Sequence, residues 1–328
     1  MIRRTLLAAA AAALCVAALP ALAQDNWPSK PVKIICPFPA GGTSDVMARM
    51  VSQALSKEFG QQFIVENIGG AGGTIGTLRA VQAAPDGYTI VQTGVGQSAV
   101  AHGLDPKLGY DSLRDFIHVS QVHSGPNLLV VHPEQPFKTF QELVAYIRKN
   151  PGKLNYGYTH AASGHMAMEL LKQVGGVNGQ PLYIVGIPYR GGGPMMQDLL
   201  GGQIPMMFIN QDVALPHIKA GKLRALAVTS LQRNALFPDV PTIAETGVKG
   251  YEALSWSGIS AIKGTPQPIV DKLEAAMKKI MTSPEIKQRM ESVGFVIPTQ
   301  GGAPYTAFVK SEIELWTRVI KTAGITAQ

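Results

Sequence analysis

The stretch Ile34–Met50, IICPFPAGGTSDVMARM, constrains the fold of this 328-residue chain more than any other. An apolar run stops at Pro37 and Pro39, turns through Gly41 and Gly42, and enters a segment with Met47, Met50, Val51, Ala54 and Leu55 at helical spacing. Gly60 closes that segment as a C-terminal cap. The glycines let the main chain approach a ligand without interference from a Cβ, and Thr43 or Ser44 is placed to cap the helix. Strand, turn and helix N-terminus together gather backbone N–H groups around one small volume, which suits an anion. Asp45, in the first helical turn, complements the helix dipole.

Two further glycine turns open helices. In NYGYTHAASGHMAMELLKQVGG, Gly157 to Ser163 leads into a helix with Met166, Leu170 and Val174 on one face, Ser163 as its cap and His165 in its first turn. In IPYRGGGPMMQDLLGGQIP, Gly191 to Gly193 precede Pro194, whose fixed φ suits the first helical position. One such turn is common in α/β proteins; three in one chain point to a ligand cleft built mostly from backbone.

Apolar β-rich runs alternate with helical periods along the chain, which predicts an α/β fold with mainly parallel sheets. The strands expected are 32–37, 63–66, 88–93, 127–132, 155–158, 205–209 and 223–230. The helices expected are 45–59, 139–150, 164–174, 194–200, 271–281 and 304–323. Two apolar strands, NLLVVHP and LRALAVTS, bracket a central block with its own strands and helices. A chain that leaves one lobe and returns to it places residues 24–124 and 229–328 in the first lobe and 125–228 in the second, with two crossing strands as a hinge. A split into sequential domains near Gly152 is the alternative, since Asn150-Pro151-Gly152 is also a strong turn.

Residues 1–23 read as a secretory signal: Arg3 and Arg4, an apolar Leu/Ala run, and Ala21-Leu22-Ala23 as the cleavage site before Gln24. Cys15 lies inside the apolar run rather than in a lipobox, so the expectation is a soluble exported protein rather than a lipoprotein. Only Cys36 remains in the mature chain, and its apolar strand marks it as a buried small side chain rather than a reactive thiol. The net charge of +7 becomes +5 once the two signal arginines are removed. The basic residues are scattered without aromatic interleaving, which argues against nucleic acid as a partner.

Enzymatic readings find little support. Thr93 to Ala99, TGVGQSA, resembles a dinucleotide turn with Asp115 downstream, but Gly103 and Pro106 are expected to interrupt the helix that should follow. There is no P-loop, HExxH or GxSxG motif, and the histidines lack metal-ligand spacing. A secreted hydrolase using Ser163 and a histidine, and an exported ligand-sensing domain serving a signalling partner, are the remaining alternatives. Met206 and Met207 read as core filling.

The segments WPSKPVKIICPFPAGGTSD, VENIGGAGGTIG, APDGYTI, IPYRGGGP, GGQIPMMF, PHIKAGKLRALAVTS, FPDVPTIAETGVKGYE and WSGISAIKGTP together resemble the substrate-binding receptors of tripartite tricarboxylate transporters, also called the Bordetella uptake gene (Bug) family. The resemblance covers nearly all of the mature chain. It implies a two-lobed type 2 periplasmic binding protein, a Venus flytrap that closes on a small carboxylate and hands it to membrane permease subunits. It also implies that the loops Phe38–Ser44 and Thr159–His165 hold a carboxylate through backbone amides and ordered water, with Tyr189, Arg190 and Gly191 matching a YRGG segment. The ligand-binding residues expected are Phe38, Ala40, Gly41, Gly42, Thr43, Ser44, Thr93, Thr159, His160, Ser163, Gly164, His165, Tyr189, Arg190, Gly191, Asn210 and Asp212. No catalytic residue, metal or cofactor is expected, and the protein is expected to be a monomer. Two departures bear on the ligand: the second loop is THAASGH, with His160 and two alanines, and the strand that family members often follow with Asp-Asn ends here in Ile209-Asn210, with Asp212 displaced. A dicarboxylate is favoured, with His165 or Arg190 facing its second charge, and Ala161 and Ala162 leave room for a flat ring such as terephthalate. The alternatives are that Arg190 orients its own turn by pairing with an acid and that His165 forms an i, i+4 pair with Glu169.

Overall fold

A computed structural model describes residues 26–175, 181–298 and 301–325; the expected signal segment, with Cys15, lies outside the described residues. The strands are β1 (Val32–Cys36), β2 (Phe63–Asn67), β3 (Thr89–Gly94), β4 (Phe116–Val131), β5 (Asn155–Thr159), β6 (Val185–Tyr189), β7 (Met206–Asn210), β8 (Arg224–Val228) and β9 (Leu254–Ile262). The helices are α1 (Thr43–Phe59), α2 (Thr74–Val81), α3 (Ala101–Leu104), α4 (Phe140–Lys149), α5 (Ser163–Val174), α6 (Gly192–Leu200), α7 (Gln211–Lys219), α8 (Gln267–Met281), α9 (Pro284–Ser292) and α10 (Gly302–Ala323).

The strands follow the order β2-β1-β3-β9-β4-β7-β5-β6, with β8 also on β4. The two-lobed shape comes from β4. Its first part pairs with β9 from Phe116↔Ile262 to Pro126↔Leu254, and its last part pairs with β7 and β8 from Asn127 onward. One continuous strand therefore belongs to both sheets, and the change of partner falls at Pro126, which has no N–H to give to a ladder. At this crossing Thr229, the residue after β8, donates its N–H to the Asn127 carbonyl at 3.0 Å while its hydroxyl accepts from the Asn127 N–H at 2.8 Å. Asn127 is fully buried at this crossing, and its side-chain amide reaches the Ala253 carbonyl at 3.3 Å.

The sheets are mixed rather than mainly parallel. β1–β2, β1–β3, β5–β6 and β5–β7 are parallel, but every pair that involves β4 or β9 is antiparallel. Sequence reading missed β9, β6 and the first half of β4. In β4 the cause is its buried polar residues: His118 Nδ1 lies 2.8 Å from Ser260 Oγ and His123 Nδ1 2.8 Å from Ser257 Oγ, so polar side chains of β4 and β9 satisfy one another across the ladder. No helix among the described residues is long and apolar enough to cross a membrane.

Helices cover each sheet, and a shared core joins α5 to α10. Met47, Met50, Val51 and Leu55 of α1 join Val32 and Ile34 of β1 and Leu273 and Met277 of α8 in one core. Met195, Met196 and Leu199 of α6 pack with Met207 and Ile209 of β7 in another, which bears out the core placement of Met207. Cys36 is buried, and burial raises its thiol to about 11, so it is not a thiolate near neutral pH. Gly103 does not break its helix. It lies within α3, where a Cβ would stand 2.8 Å from Ile320 Cδ1 of α10, and the helix ends at Leu104, ahead of Pro106.

Candidate functional site

The three glycine turns open onto one cleft of about 470 Å³ between the two sheets. Phe38 to Ser44 and Gly94 to Gly96 line it from the β1–β3 side, and Thr159, Ala162 to His165 and Arg190 to Met196 from the β5–β7 side. Phe208 to Asn210, Val213, His123, Ser255 and Trp256 complete the wall.

Helices α1, α5 and α6 point their N-termini at this space without a side-chain cap; their N-cap residues are Gly42, Ala162 and Gly191. By contrast, Thr139 and Glu142 form a capping box on α4, and the Ser283 hydroxyl caps α9. The first amides of a helix have no intrahelical acceptor, so those of the cleft helices are available to a ligand. Neither Thr43 nor Ser163 caps its helix as the sequence suggested. The Thr43 hydroxyl donates to Asp212 Oδ1 at 2.8 Å, and the Ser163 hydroxyl donates to Asn127 Oδ1 at 3.1 Å, tying the second loop to the crossing strand.

The first loop is held from behind. Asp45 accepts from the Gly41 N–H at 3.0 Å, from Arg49 Nε at 3.1 Å and from Asn67 Nδ2 at 2.9 Å. Burial alone would raise the Asp45 carboxyl, but these bonds outweigh it and hold it below the usual range. One expected anion donor, the Gly41 amide, is thereby already engaged. Gly41 has φ +89°, so its identity serves the turn, whereas Gly42 has an ordinary extended backbone and an added Cβ there meets nothing within 4 Å.

The cleft lining contains Arg190 and no aspartate or glutamate. Arg190 is exposed and has no ion pair among the described residues, so the acid partner considered for it is not found. Three buried polar atoms of the lining residues have no hydrogen-bond partner: Thr159 Oγ1, Asn210 Nδ2 and His123 Nε2. Such atoms are costly to bury unless something satisfies them.

Thirteen expected residues line the cleft: Phe38, Ala40, Gly41, Gly42, Thr43, Ser44, Thr159, Ser163, Gly164, His165, Arg190, Gly191 and Asn210. Four others lie outside the lining. Thr93 is in the core, 2.8 Å from Tyr305 Oη, because its strand faces α10 at that position. His160 lines a separate small hollow behind His165. Tyr189 donates its hydroxyl to Asp198 at 2.6 Å, and Asp212 stands behind Thr43, its carboxyl raised by burial to about 6 against the pull of the Thr43 hydroxyl. Gly164 lines the cleft, but its lack of a Cβ serves packing, because one would press on the Phe208 carbonyl. His165 does not pair with Glu169, which accepts from Tyr156 at 2.7 Å and Lys172 at 2.8 Å. Its ring stacks on Tyr158 with centroids 4.3 Å apart, and burial depresses its pKa to about 3.

Sequence reasoning missed His123, Trp256 and Ser255, all on strands it left incomplete or unassigned. Trp256 is fixed by Glu312, which accepts its Nε1–H at 2.6 Å.

The lobes touch across the cleft. Besides Thr43 and Asp212, the loop before α2 meets the loop before α5: a Cβ on Gly72 would stand 2.7 Å from Ala161 Cβ and 3.3 Å from the His160 carbonyl, and one on Gly96 would be 3.1 Å from the Ala161 carbonyl. The second glycine-rich segment, NIGGAGGTIG, thus provides a bare backbone surface for closure. Gly72 also has φ +65°. Gly72→Ala is expected to weaken ligand binding roughly tenfold by overpacking the closed contact, and small-angle scattering should show less ligand-induced compaction. Unchanged affinity and compaction would remove this contact from closure.

Among the described residues the hydrogen bonds do not assemble a hydrolytic triad. Ser163 bonds Asn127 rather than a histidine, and the buried Ser257–His123 pair has no acid on the other ring nitrogen. No group of three or more His, Cys, Asp or Glu suited to a metal occurs among the described residues.

Residues 47–325 match the model of the tripartite tricarboxylate transporter family receptor. The chain is 33% identical to Protein BugT of Bordetella pertussis over 305 residues, covering 92% of each protein. It superposes on R. palustris Rpa4515, solved with adipate, with a TM-score of 0.85 at 34% identity, covering 92% of this chain and 99% of the other. Against MatC from Rhodopseudomonas palustris, solved with bound malate, the TM-score is 0.82 at 31% identity, covering 90% of this chain and 100% of the other. A cleft of uncapped helix ends between two lobes, matched along nearly the whole chain to solved receptors, places this protein in the tripartite tricarboxylate transporter receptor family, that of the Bug solute-binding proteins.

Proposed function

We propose that this protein captures a small carboxylate, preferably a dicarboxylate and with aromatic skeletons such as terephthalate within its range, and delivers it to the permease subunits of a tripartite transporter. The observation that carries this reading is an acid-free cleft onto which three uncapped helix N-termini open, with Arg190 as the cation in its lining. The dicarboxylates adipate and malate in the related structures support it. The ligand contacts belong to the first loop from Phe38 to Ser44, to Thr159 and Ala162 to His165 of the second, and to Arg190, Gly191 and Asn210. In this reading residues 24–124 and 229–328 form one lobe and 125–228 the other, and ligand that touches both favours closure by its differential affinity for the closed form. The protein works as a periplasmic monomer after loss of residues 1–23, and it binds without turnover.

A thermal-shift screen of the mature protein against mono-, di- and tricarboxylates, aliphatic and aromatic, tests the reading. A true ligand at 100 times its Kd should stabilise the fold by about 2.7 kcal/mol, and mass spectrometry should recover it unchanged. Absence of any shift across the panel refutes carboxylate capture, and chemical conversion of the ligand refutes binding without turnover.

A further inference from the structure

Resting on the carboxylate reading, we propose that His123 recognises the far end of the ligand, donating a hydrogen bond from Nε2 to a second carboxylate, and that the site therefore selects dianions without a cationic group. His123 lies on β4, the strand shared by both lobes, and lines the cleft. Its residue is 2% exposed, so bulk water does not solvate the ring. One nitrogen is committed: Nδ1 is 2.8 Å from the Ser257 hydroxyl on β9. When that hydroxyl donates to Nδ1, the ring proton resides on Nε2, the nitrogen without a partner. The other face of the ring is set against Phe295, with centroids 4.4 Å apart.

Asn210 adds a second donor. Its Nδ2 is buried without a partner, and it pairs with Asn127 in the β4–β7 ladder, four residues along β4 from His123. Two donors on the lining, with no acid there to receive an ammonium group, favour oxygen acceptors and disfavour zwitterions. Burial keeps the free ring neutral, with its pKa down at about 3, so the contact is a hydrogen bond to an anion rather than a standing ion pair.

The test compares pairs of probes that differ in one carboxylate, adipate with hexanoate and terephthalate with benzoate, and adds 2-aminoadipate, by calorimetry on the wild type, His123→Leu and His123→Gln. The wild type should prefer at least one dicarboxylate over its monocarboxylate partner and reject 2-aminoadipate. His123→Leu should weaken that dicarboxylate about 10- to 100-fold, the loss of one hydrogen bond to a charged group, and leave the monocarboxylate within about twofold. His123→Gln, which keeps an N–H donor, should recover part of the loss. Unliganded thermal unfolding of each variant shows that the fold persists. Equal losses for both members of a pair, or no loss, overturn the role of His123 while carboxylate capture stands. If the wild type binds none of these probes, this inference falls, and the wider carboxylate screen decides whether carboxylate capture falls with it.

Discussion

Gly42→Val is expected to abolish ligand-induced stabilisation while the unliganded protein remains folded. Gly42 is the N-cap of α1, with φ −94° and ψ 173°, a conformation that valine adopts freely. An added Cβ there has no heavy atom within 4 Å, and the residue lines the cleft. The branched side chain therefore occupies ligand space and shields the Thr43 and Ser44 amides without pressing on the protein. Losing two hydrogen bonds to a carboxylate should reduce affinity roughly 100-fold or more. Exchanging glycine for a β-branched N-cap should cost the unliganded fold only about 1 kcal/mol. Gly41→Val is the less informative variant, because φ +89° would strain the chain whether or not the loop binds anything. Calorimetry and an unliganded melt separate the outcomes: unchanged affinity in a folded Gly42→Val protein would remove the first loop from the binding site.

The elements of the site that the sequence exposed are those made by local chemistry. Gly41-Gly42 before an apolar helical period, Ala162-Ser163 before Met166, and Gly191 before Pro194 each announce a turn and a helix start within a few residues. What the sequence hid depends on distant partners. His123 is legible as a site residue only beside Ser257, 134 positions later, and Trp256 only beside Glu312. β9, LSWSGISAI, reads as a weak strand because its serines look solvent-facing, yet Ser257 and Ser260 are buried against the histidines of β4. Thr93 fails in the opposite sense. Its place at the end of a strand beside the cleft suggests a ligand contact, but the side chain points to the Tyr305 hydroxyl on a helix near the other end of the chain. Gly72 and Ala161 show a third case: glycine enrichment before α2 was visible, while its use as a surface for the opposite lobe required the lobes to be brought together.

Lowering the pH from 7 to 5 is expected to destabilise the unliganded protein by about 5 kcal/mol, a large share of the 5–15 kcal/mol of a typical domain. Burial depresses the pKa of His118 to about 4, and of His123 and His165 to about 3, from an ordinary value near 6.5. For a histidine with a lowered folded-state pKa, stability is complete above the unfolded value and is lost as pH falls towards the folded one, because only the unfolded chain takes up the proton. At pH 5 each of the three contributes about 2 kcal/mol in that direction. His102 and His160 shift the same way, also by burial. Asp212 opposes them: its carboxyl, raised to about 6, contributes stability that is present below the unfolded value and lost as pH rises through 6, so acidification returns about 1 kcal/mol, and Glu312 and Glu274, also raised by burial, act in the same direction. Asp45, Asp115 and Glu245 have lowered values, and their contributions are lost only in more acidic solution. Urea unfolding at pH 7, 6 and 5 measures the slope, and His118→Phe should remove about one proton from it without touching the cleft lining. A flat profile between pH 7 and 5 would mean that the β4 histidines are not held neutral, and would take away the buried, unprotonated ring on which the role of His123 depends.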